Sequence, residues 1–352
     1  MKKILALALV LMLAASCMSA FAEADKMYIS MISKGFQHQF WQTVYKGALA
    51  AGEDYGVDVY FDGPASETEI DAQVEMLKAE MAKEPDAICL AALSTDAVMT
   101  ELQECVDKGI PVIGFDSGVP NAPEGAIYAT ASTNNQNAAA LAADEFAKLD
   151  GFTDMLAAGT AEAPVVIAVL SQDATSESVT GRTTGFVNEM KMIASEYNTV
   201  SVEGHDLWAD PAEGAGVVIY VQISATTENA DVVNAASAVL NLEGLKAVFI
   251  SNEGAVNGFL SATADGSELA AGGRYEGLIV AGFDAGATQK NAVRNGWFVG
   301  SVTQDPYQIG YKAVELAVKA ANGEAVEDVD TGAQWYTAEN MDDEMIAMLL
   351  YD

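Results

Sequence analysis

The chain has two histidines in 352 residues, His38 and His205, and that scarcity argues against most hydrolytic chemistry. General-base catalysis and serine triads usually draw on an imidazole. The nucleophile-elbow pattern G-x-S-x-G is missing, because in Gly114-Phe115-Asp116-Ser117-Gly118 the serine comes one place late. No G-x-x-x-x-G-K-[ST] phosphate loop occurs. Gly214-Ala215-Gly216 starts a dinucleotide pattern, but it lacks the third glycine and precedes an apolar run where it should follow a strand. Cysteine is nearly as rare, at three residues, and no Cys/His spacing suits zinc; no loop has the EF-hand pattern. Neither an enzyme nor a cofactor or metal site is therefore expected. Cationic residues are also short: 17 Lys and Arg against 51 Asp and Glu give a formal net charge of -34. Such a surface repels the phosphates of nucleic acids and anionic lipids, so neither is an expected partner.

Apolar runs of the ~20 residues needed to span a bilayer are absent too. The N-terminus instead shows a shorter one: Lys2 and Lys3, an apolar Ile4 to Ala15, and an A-x-A site at Ala20-Phe21-Ala22. That reads as a signal segment over residues 1–22 and an exported protein, in the periplasm or at the outer face of the cell membrane. Ala14-Ala15-Ser16-Cys17 is a degenerate lipoprotein motif lacking the usual leucine, so plain secretion is preferred over a lipid anchor on Cys17. Cys89 falls in an apolar strand and Cys105 in a helix, which predicts buried thiols and no disulfide framework.

What the chain does have is one unit many times over: a β-rich apolar run, a polar loop, then a helical period. Strands are predicted at 26–33, 57–62, 87–92, 112–115, 127–130, 165–170, 200–205, 247–250, 278–283 and 298–302. Helices are predicted between them, among others at 41–55, 67–83, 95–108, 134–148, 182–197, 229–240 and 309–322. Continuous apolar strands alternating with helices imply parallel sheets covered on both faces. About ten strands with this many helices fit two doubly wound α/β domains better than one. The small-residue segment Gly151–Ala163 reads as a loop and as their boundary. Val217–Ser224 reads as an extra strand or hairpin where a plain strand-to-helix connection is expected.

Polar residues gather where these strands end. Phe36 to Gln42 holds three amides, a histidine and three aromatics just past the first strand. Phe115-Asp116-Ser117, Ser251-Asn252-Glu253, Gly282-Phe283-Asp284 and Thr303-Gln304-Asp305 follow four others. One such residue alone caps the next helix. Four of them, each at a strand's C-terminal end, point to a shared ligand site, since that edge is where open α/β sheets bind ligands.

The segments SKGFQHQFWQTVYKGA, GIPVIGFDSGV, YATASTNN, VFISNEGAVNG, IVAGFDAG and SVTQDPYQIGYKAVE, in this order, resemble the periplasmic sugar-binding proteins of the ribose and galactose type that serve ABC importers. The resemblance runs from Met27 to about Thr337. It implies two doubly wound parallel-sheet lobes joined by a three-segment hinge, with crossings near Ser132-Thr133, Gln304–Pro306 and Thr331–Gln334. The lobes then comprise 25–131 plus 306–331, and 133–304 plus 333–352, and Gly151–Ala163 becomes a surface loop inside the second. It further implies a monomer, a small carbohydrate ligand (monosaccharide or polyol) and a membrane permease as partner. Carried over residue by residue, Phe40 and Trp41 sandwich the sugar ring, His38 stands where an amide reads hydroxyls, and Gln37 and Gln39 form the rim. Asp116, Asn252, Asp284 and Gln304 match the acid and amide ligands. Flat rings suit the C–H faces of a sugar, and planar acids and amides suit its equatorial hydroxyls.

Two positions depart from that pattern. Ser117 replaces an arginine after the first-lobe aspartate, and Thr180 stands at the second-lobe arginine position, with Arg182 nearby. A ribose-like hydrogen-bond set is therefore not implied. Arg182 either swings into the cleft or serves as a salt-bridged scaffold residue. Trp208 either stacks on ligand or packs in the core or hinge, Trp335-Tyr336 either lines the hinge or packs, and His205 is structural. Closure of the lobes on ligand is the implied mechanism. A sugar or furanose-signal sensing receptor is the alternative. A repressor lacks a helix-turn-helix ahead of Met27, and a secreted hydrolase is the remaining rival.

Overall fold

The computed structural model describes residues 26–36 and 38–351. The expected signal segment, Cys17 and the rim residue Gln37 lie outside them. Strands β1 (Tyr28–Ile32), β2 (Asp58–Asp62), β3 (Ala87–Leu90), β4 (Val112–Phe115) and β5 (Ile127–Ser132) come first in the chain. Next are β6 (Val165–Ser171), β7 (Val200–Glu203), β8 (Val217–Ile223), β9 (Leu245–Ile250), β10 (Ile279–Phe283) and β11 (Gly300–Gln304), and last β12 (Val329–Asp330) and β13 (Ala333–Tyr336). They form a six-stranded sheet in the order β12-β5-β4-β3-β1-β2 and a seven-stranded sheet in the order β13-β11-β10-β9-β6-β8-β7. All pairs are parallel except β11 with β13.

The strands read as unbroken apolar runs because both faces of each sheet are covered; all seven residues of β6 are buried. Alternate residues serve opposite faces. In the first lobe Ile29, Met31, Cys89, Ile113 and Phe115 face α1 (Gln39–Tyr55), while Ile88, Leu90 and Val112 face α2 (Ile70–Met81) and α3 (Met99–Lys108). In the second lobe Ile167, Val169 and Phe249 face α4 (Asn135–Ala147), α5 (Phe152–Ala158) and α6 (Glu177–Ser195). Ala168, Leu170 and Val248 face α7 (Asn229–Leu240), α8 (Glu253–Ala262) and α9 (Ala287–Arg294). Cys89 and Cys105 are both buried and free. Among the described residues no helix is long and apolar enough to cross a membrane.

Helix α10 (Pro306–Ala321) follows β11 of the second sheet yet packs on α1 of the first lobe. Asp305 caps it by accepting from Gln308 N at 2.9 Å, and Pro306 sits in the first turn, where its missing N–H costs nothing. The two helices touch backbone to backbone: a Cβ on Gly310 would strike the Val44 carbonyl, and one on Gly47 the Tyr307 carbonyl. We expect Gly310→Ala to lower stability by about 1–3 kcal/mol through overpacking, seen as a lower urea midpoint at unchanged slope. A midpoint equal to the parent's would show that the helices part without strain.

The chain passes between the sheets three times, from β5 to α4, from β11 to α10 and from β12 to β13. The first and third passages are bonded to each other, Thr133 Oγ1 donating to Gly332 O at 3.2 Å and Asn134 N to Asp330 Oδ1 at 3.1 Å. After β13 the tail, including the short α11 (Glu344–Ala347), returns to the second sheet, where Leu349 O accepts from Thr303 Oγ1 at 3.0 Å.

One sequence expectation needs correction, and one alternative is decided. Gly151–Ala163 is neither a boundary nor a loop: it contains α5, whose Phe152 and Leu156, four apart, are buried in the second lobe's core. Seven residues flanked by glycine are too few to show a helical period. Of the strand and hairpin read for Val217–Ser224, the strand is what forms: β8 (Val217–Ile223) runs parallel between β6 and β7, with Val165 opposite Val217. The connection from β7 to β8 carries no helix; it is pinned by a backbone pair between Val202 and Asp210.

Candidate functional site

Two strand ends carry nearly the same five residues, Gly-Phe-Asp-Ser-Gly at 114–118 and Gly-Phe-Asp-Ala-Gly at 282–286. Asp116 (φ 56) and Asp284 (φ 82) both take the left-handed backbone region, which side chains rarely occupy and aspartate tolerates better than most. Each is pinned by the next strand. Asp116 N donates to Ala131 O at 3.0 Å and its carbonyl accepts from Ser132 Oγ at 2.7 Å. Asp284 N donates to Val302 O at 2.7 Å and its carbonyl accepts from Ser301 Oγ at 3.1 Å. Tyr336 of β13 adds an O–H···O bond to the same Asp284 carbonyl at 3.0 Å. Strain held this firmly at two equivalent points is typical of a ligand clamp.

The two aspartates face one cavity of about 30 Å³ between the lobes. Lys34, His38, Phe40, Trp41, Glu67 and Asp116 line it from the first lobe, and Val179, Arg182, Asn252, Glu253, Asp284 and Gln304 from the second. Lys34 Nζ lies 2.9 Å from Asp116 Oδ2 and donates to Ser178 Oγ at 3.0 Å. Arg182 Nε donates to Asn135 Oδ1 at 2.9 Å, and its Nη1 reaches Ser251 O at 3.2 Å and Asp284 Oδ2 at 3.4 Å. The guanidinium also lies 3.9 Å from the ring centre of Phe283. Asp284 accepts from Gln304 Nε2 at 2.7 Å and from Glu253 N at 2.9 Å. Glu67 accepts from Trp41 Nε1 at 2.9 Å and from Gln172 Nε2 at 2.7 Å, with His38 Nε2 3.9 Å away.

Several of these bonds join the lobes. Besides Lys34–Ser178 and Gln172–Glu67, Ser178 N donates to Ser117 Oγ at 3.2 Å, Ala287 N to Gln39 Oε1 at 2.9 Å and Thr175 Oγ1 to Leu93 O at 3.0 Å. The lobes are thus shut on each other. Burial shapes the charges inside. It pushes the Glu253 carboxyl up to about 7; His38 opposes the shift, Asp284 adds to it, and the amides of Gln39 and Phe40 at the start of α1 oppose it again. Burial alone would lower Lys34, but Asp116, Glu67 and Asp173 outweigh it and hold the ammonium above its ordinary range. Burial likewise works against an ionised Glu67, but His38, Lys34 and its two donors pull its carboxyl below normal.

A profile of the periplasmic binding protein domain matches residues 29–325. The chain belongs to that family. The fold is that of solved structures whose descriptions name ABC transporter proteins. One, described as an ABC transporter, LacI family transcriptional regulator, from Brachyspira murdochii, is 39% identical over 93% of this chain and 99% of its own, with a TM-score of 0.78. A carbohydrate transporter solute binding protein from Agrobacterium radiobacter, solved with D-arabinose, is 26% identical over 93% of this chain and 100% of its own, at 0.74. An ABC transporter solute binding protein from Agrobacterium vitis, solved with D-fucose, is 28% identical over 92% and 100%, at 0.73.

In this periplasmic binding protein, eight of the ten residues singled out from sequence line the one cavity: His38, Phe40, Trp41, Asp116, Arg182, Asn252, Asp284 and Gln304. Asn252 does both jobs foreseen for strand-end residues, capping α8 through Ala255 N at 3.2 Å while its Nδ2 donates to Gln172 Oε1 at 2.8 Å. Ser117 and Thr180 are not in the lining. Ser117 spends its hydroxyl on Ser178 N, and Thr180 turns back to bond Ser176 O at 2.8 Å on its own helix. Phe40 and Trp41 meet edge to face, with centroids 4.9 Å apart and planes at 85°, so they form a corner and not two parallel plates around a ring. Trp208 packs on the outer helix layer, its Nε1 donating to Thr184 Oγ1 at 2.9 Å, with His205 beside it at 5.2 Å. Trp335 covers Gly300 within the second sheet, and Tyr336 is buried under Asp284.

Four lining residues were not singled out as ligand residues from the sequence: Lys34, Glu67, Val179 and Glu253. Lys34 lies two residues past β1 and Glu253 belongs to the Ser251-Asn252-Glu253 strand end already noted, so the strand-end rule, applied evenly, finds both. Glu67 sits five residues past β2, and Val179 lies within α6; neither bears a local signal.

Proposed function

We propose that this periplasmic binding protein is an exported solute receptor that captures a small carbohydrate, a monosaccharide or polyol, between its lobes. It then presents the closed form to the membrane permease of an ABC importer, and no bond in the ligand is broken. The lobes are 25–131 plus 306–331, and 133–304 plus 333–352, and the receptor works as a monomer. The observation that carries this reading is the cleft itself. Its planar acids and amides, Asp116 from one lobe and Asn252, Asp284 and Gln304 from the other, converge on the aromatic corner of Phe40 and Trp41. Such groups accept from and donate to hydroxyls in one plane, while a ring face takes a sugar's C–H surface.

A cavity of about 30 Å³ holds roughly two waters at ~10–15 Å³ each, far less than a sugar. Ligand therefore enters an open form. Opening breaks the Lys34–Ser178 and Glu67–Gln172 bonds, and ligand hydroxyls take their place on closure, which supplies the differential affinity that shifts the population. A thermal-shift screen of pentoses, hexoses and polyols tests the reading. A cognate ligand at a hundredfold excess over Kd adds about 2.7 kcal/mol to stability and raises the melting temperature accordingly. No shift with any member of the panel would remove the carbohydrate reading.

A further inference from the structure

The geometry points to an amine-bearing sugar as the ligand of this cleft, its ammonium seated against Glu253. This inference rests on the carbohydrate reading and narrows it. Four carboxylates line the cavity, Glu67, Asp116, Glu253 and Asp284, against two fixed cations, Lys34 and Arg182, a formal balance of 2 − 4 = −2 with His38 left out of the count. Three of the four are compensated: Asp116 by Lys34, Asp284 by Arg182, and Glu67 by the donors on Trp41 and Gln172. Glu253 has no fixed cation against it; what faces it is the His38 imidazole and the amides of Gln39 and Phe40. It is 6% exposed, and its Oε2 is fully buried without a hydrogen-bond partner. Its Oε1 is packed against Gly286, where a Cβ would stand 2.7 Å from that oxygen, so the carboxylate has little room to turn away.

Burial pushes this carboxyl up to about 7, and holding it ionised in the dry cleft takes a counter-charge. A neutral hexose supplies hydroxyl donors but leaves the balance at −2. A protonated amine supplies charge-assisted N–H bonds and moves the balance towards zero. The groups facing Glu253 are His38 on the approach to α1, Asp284 with its Arg182 partner, and the phenols of Tyr336 and Tyr351. The fixed cations among the lining residues are engaged elsewhere, on Asp116 and Asp284.

The test is calorimetric titration with D-glucosamine, D-galactosamine and D-mannosamine beside their parent hexoses and N-acetyl derivatives. At least one amine is expected to bind tenfold or more tighter than both its parent and its N-acetyl form. Glu253→Gln, which keeps the side chain's shape, should bring that ratio near one. An equal or better affinity for the neutral sugars overturns the inference and leaves the carbohydrate reading standing; no binding by either class removes both. Should the variant not fold, the unaltered protein still decides. Amine affinity falls between pH 7.5 and 5.5, as Glu253 takes up its proton, while the parent hexose does not follow. A parallel fall for both, or none for the amine, overturns the proposal.

Discussion

Asp284→Asn should weaken ligand binding by roughly 30- to 4000-fold. The range is the ~2–5 kcal/mol lost when one member of a buried, hydrogen-bonded charge pair is removed, at a factor of ten per ~1.4 kcal/mol. Asparagine is the informative replacement because it tolerates the φ of 82 that Asp284 adopts, whereas alanine adds backbone strain. The variant keeps the outline of the side chain and removes the charge facing Arg182 Nη1. It also places an NH₂ where a lone pair accepted from Gln304 or from the Glu253 amide, so one of those donors loses its partner. Isothermal titration with the cognate sugar reads the loss. An unchanged Kd would mean that ligand binds elsewhere.

Lys34→Met is the second large effect, and it falls on stability. The ammonium is buried between Asp116 of its own lobe and Ser178 of the other. A methionine fills the space but leaves the Asp116 carboxylate in the interior without its cation, which typically costs about 3–5 kcal/mol. The pH dependence follows from direction. Because the folded protein holds Lys34 above its ordinary value, the ion pair's contribution is complete below the unfolded lysine pKa of about 10.4 and is lost only as the pH rises through the folded value. The difference between parent and variant is thus full at pH 7 and shrinks in strong alkali. Urea unfolding at pH 7 and again well above pH 11 checks both parts; a loss under about 1 kcal/mol at pH 7 would show that Asp116 finds water or another donor.

The fold was legible because its signal is local and repeated. Unbroken apolar strands such as β6 and β9 can exist only between two helix layers, and their number required two sheets. Most of the cavity lining was legible too, since an acid or amide after a parallel strand has few places to go. What failed were side chains whose direction depends on a partner far off in sequence. Ser117 and Thr180 have the right chemistry, yet the first is claimed by the amide of Ser178 across the cleft and the second by its own helix. Trp208, left open between stacking on ligand and packing, packs: β8 takes the inner place beside β6 and leaves β7 at the sheet edge, and Trp208 sits with the outer helix layer. Glu67 is pulled into the cleft by two hydrogen bonds, one from Trp41 and one from the opposite lobe, and no pattern within ten residues of it announces either.

The helix α10 and strand β12, both supplied from beyond residue 305, complete a lobe whose other parts end at residue 132. The contact that closes that lobe, Gly47 on Tyr307 and Gly310 on Val44, therefore joins positions some 260 residues apart. Contacts of such range slow folding, because loop-closure entropy must be met before any packing energy returns. The second lobe, from α4 to β11, is nearly continuous in the chain and can condense first. The early residues of the first lobe must then wait, with the apolar faces of β1 and β3 uncovered, until the last fifth of the chain arrives. Folding order is thus written into the connectivity: the part made first is finished last, and a chain in transit has the longest span in which to remain unfolded.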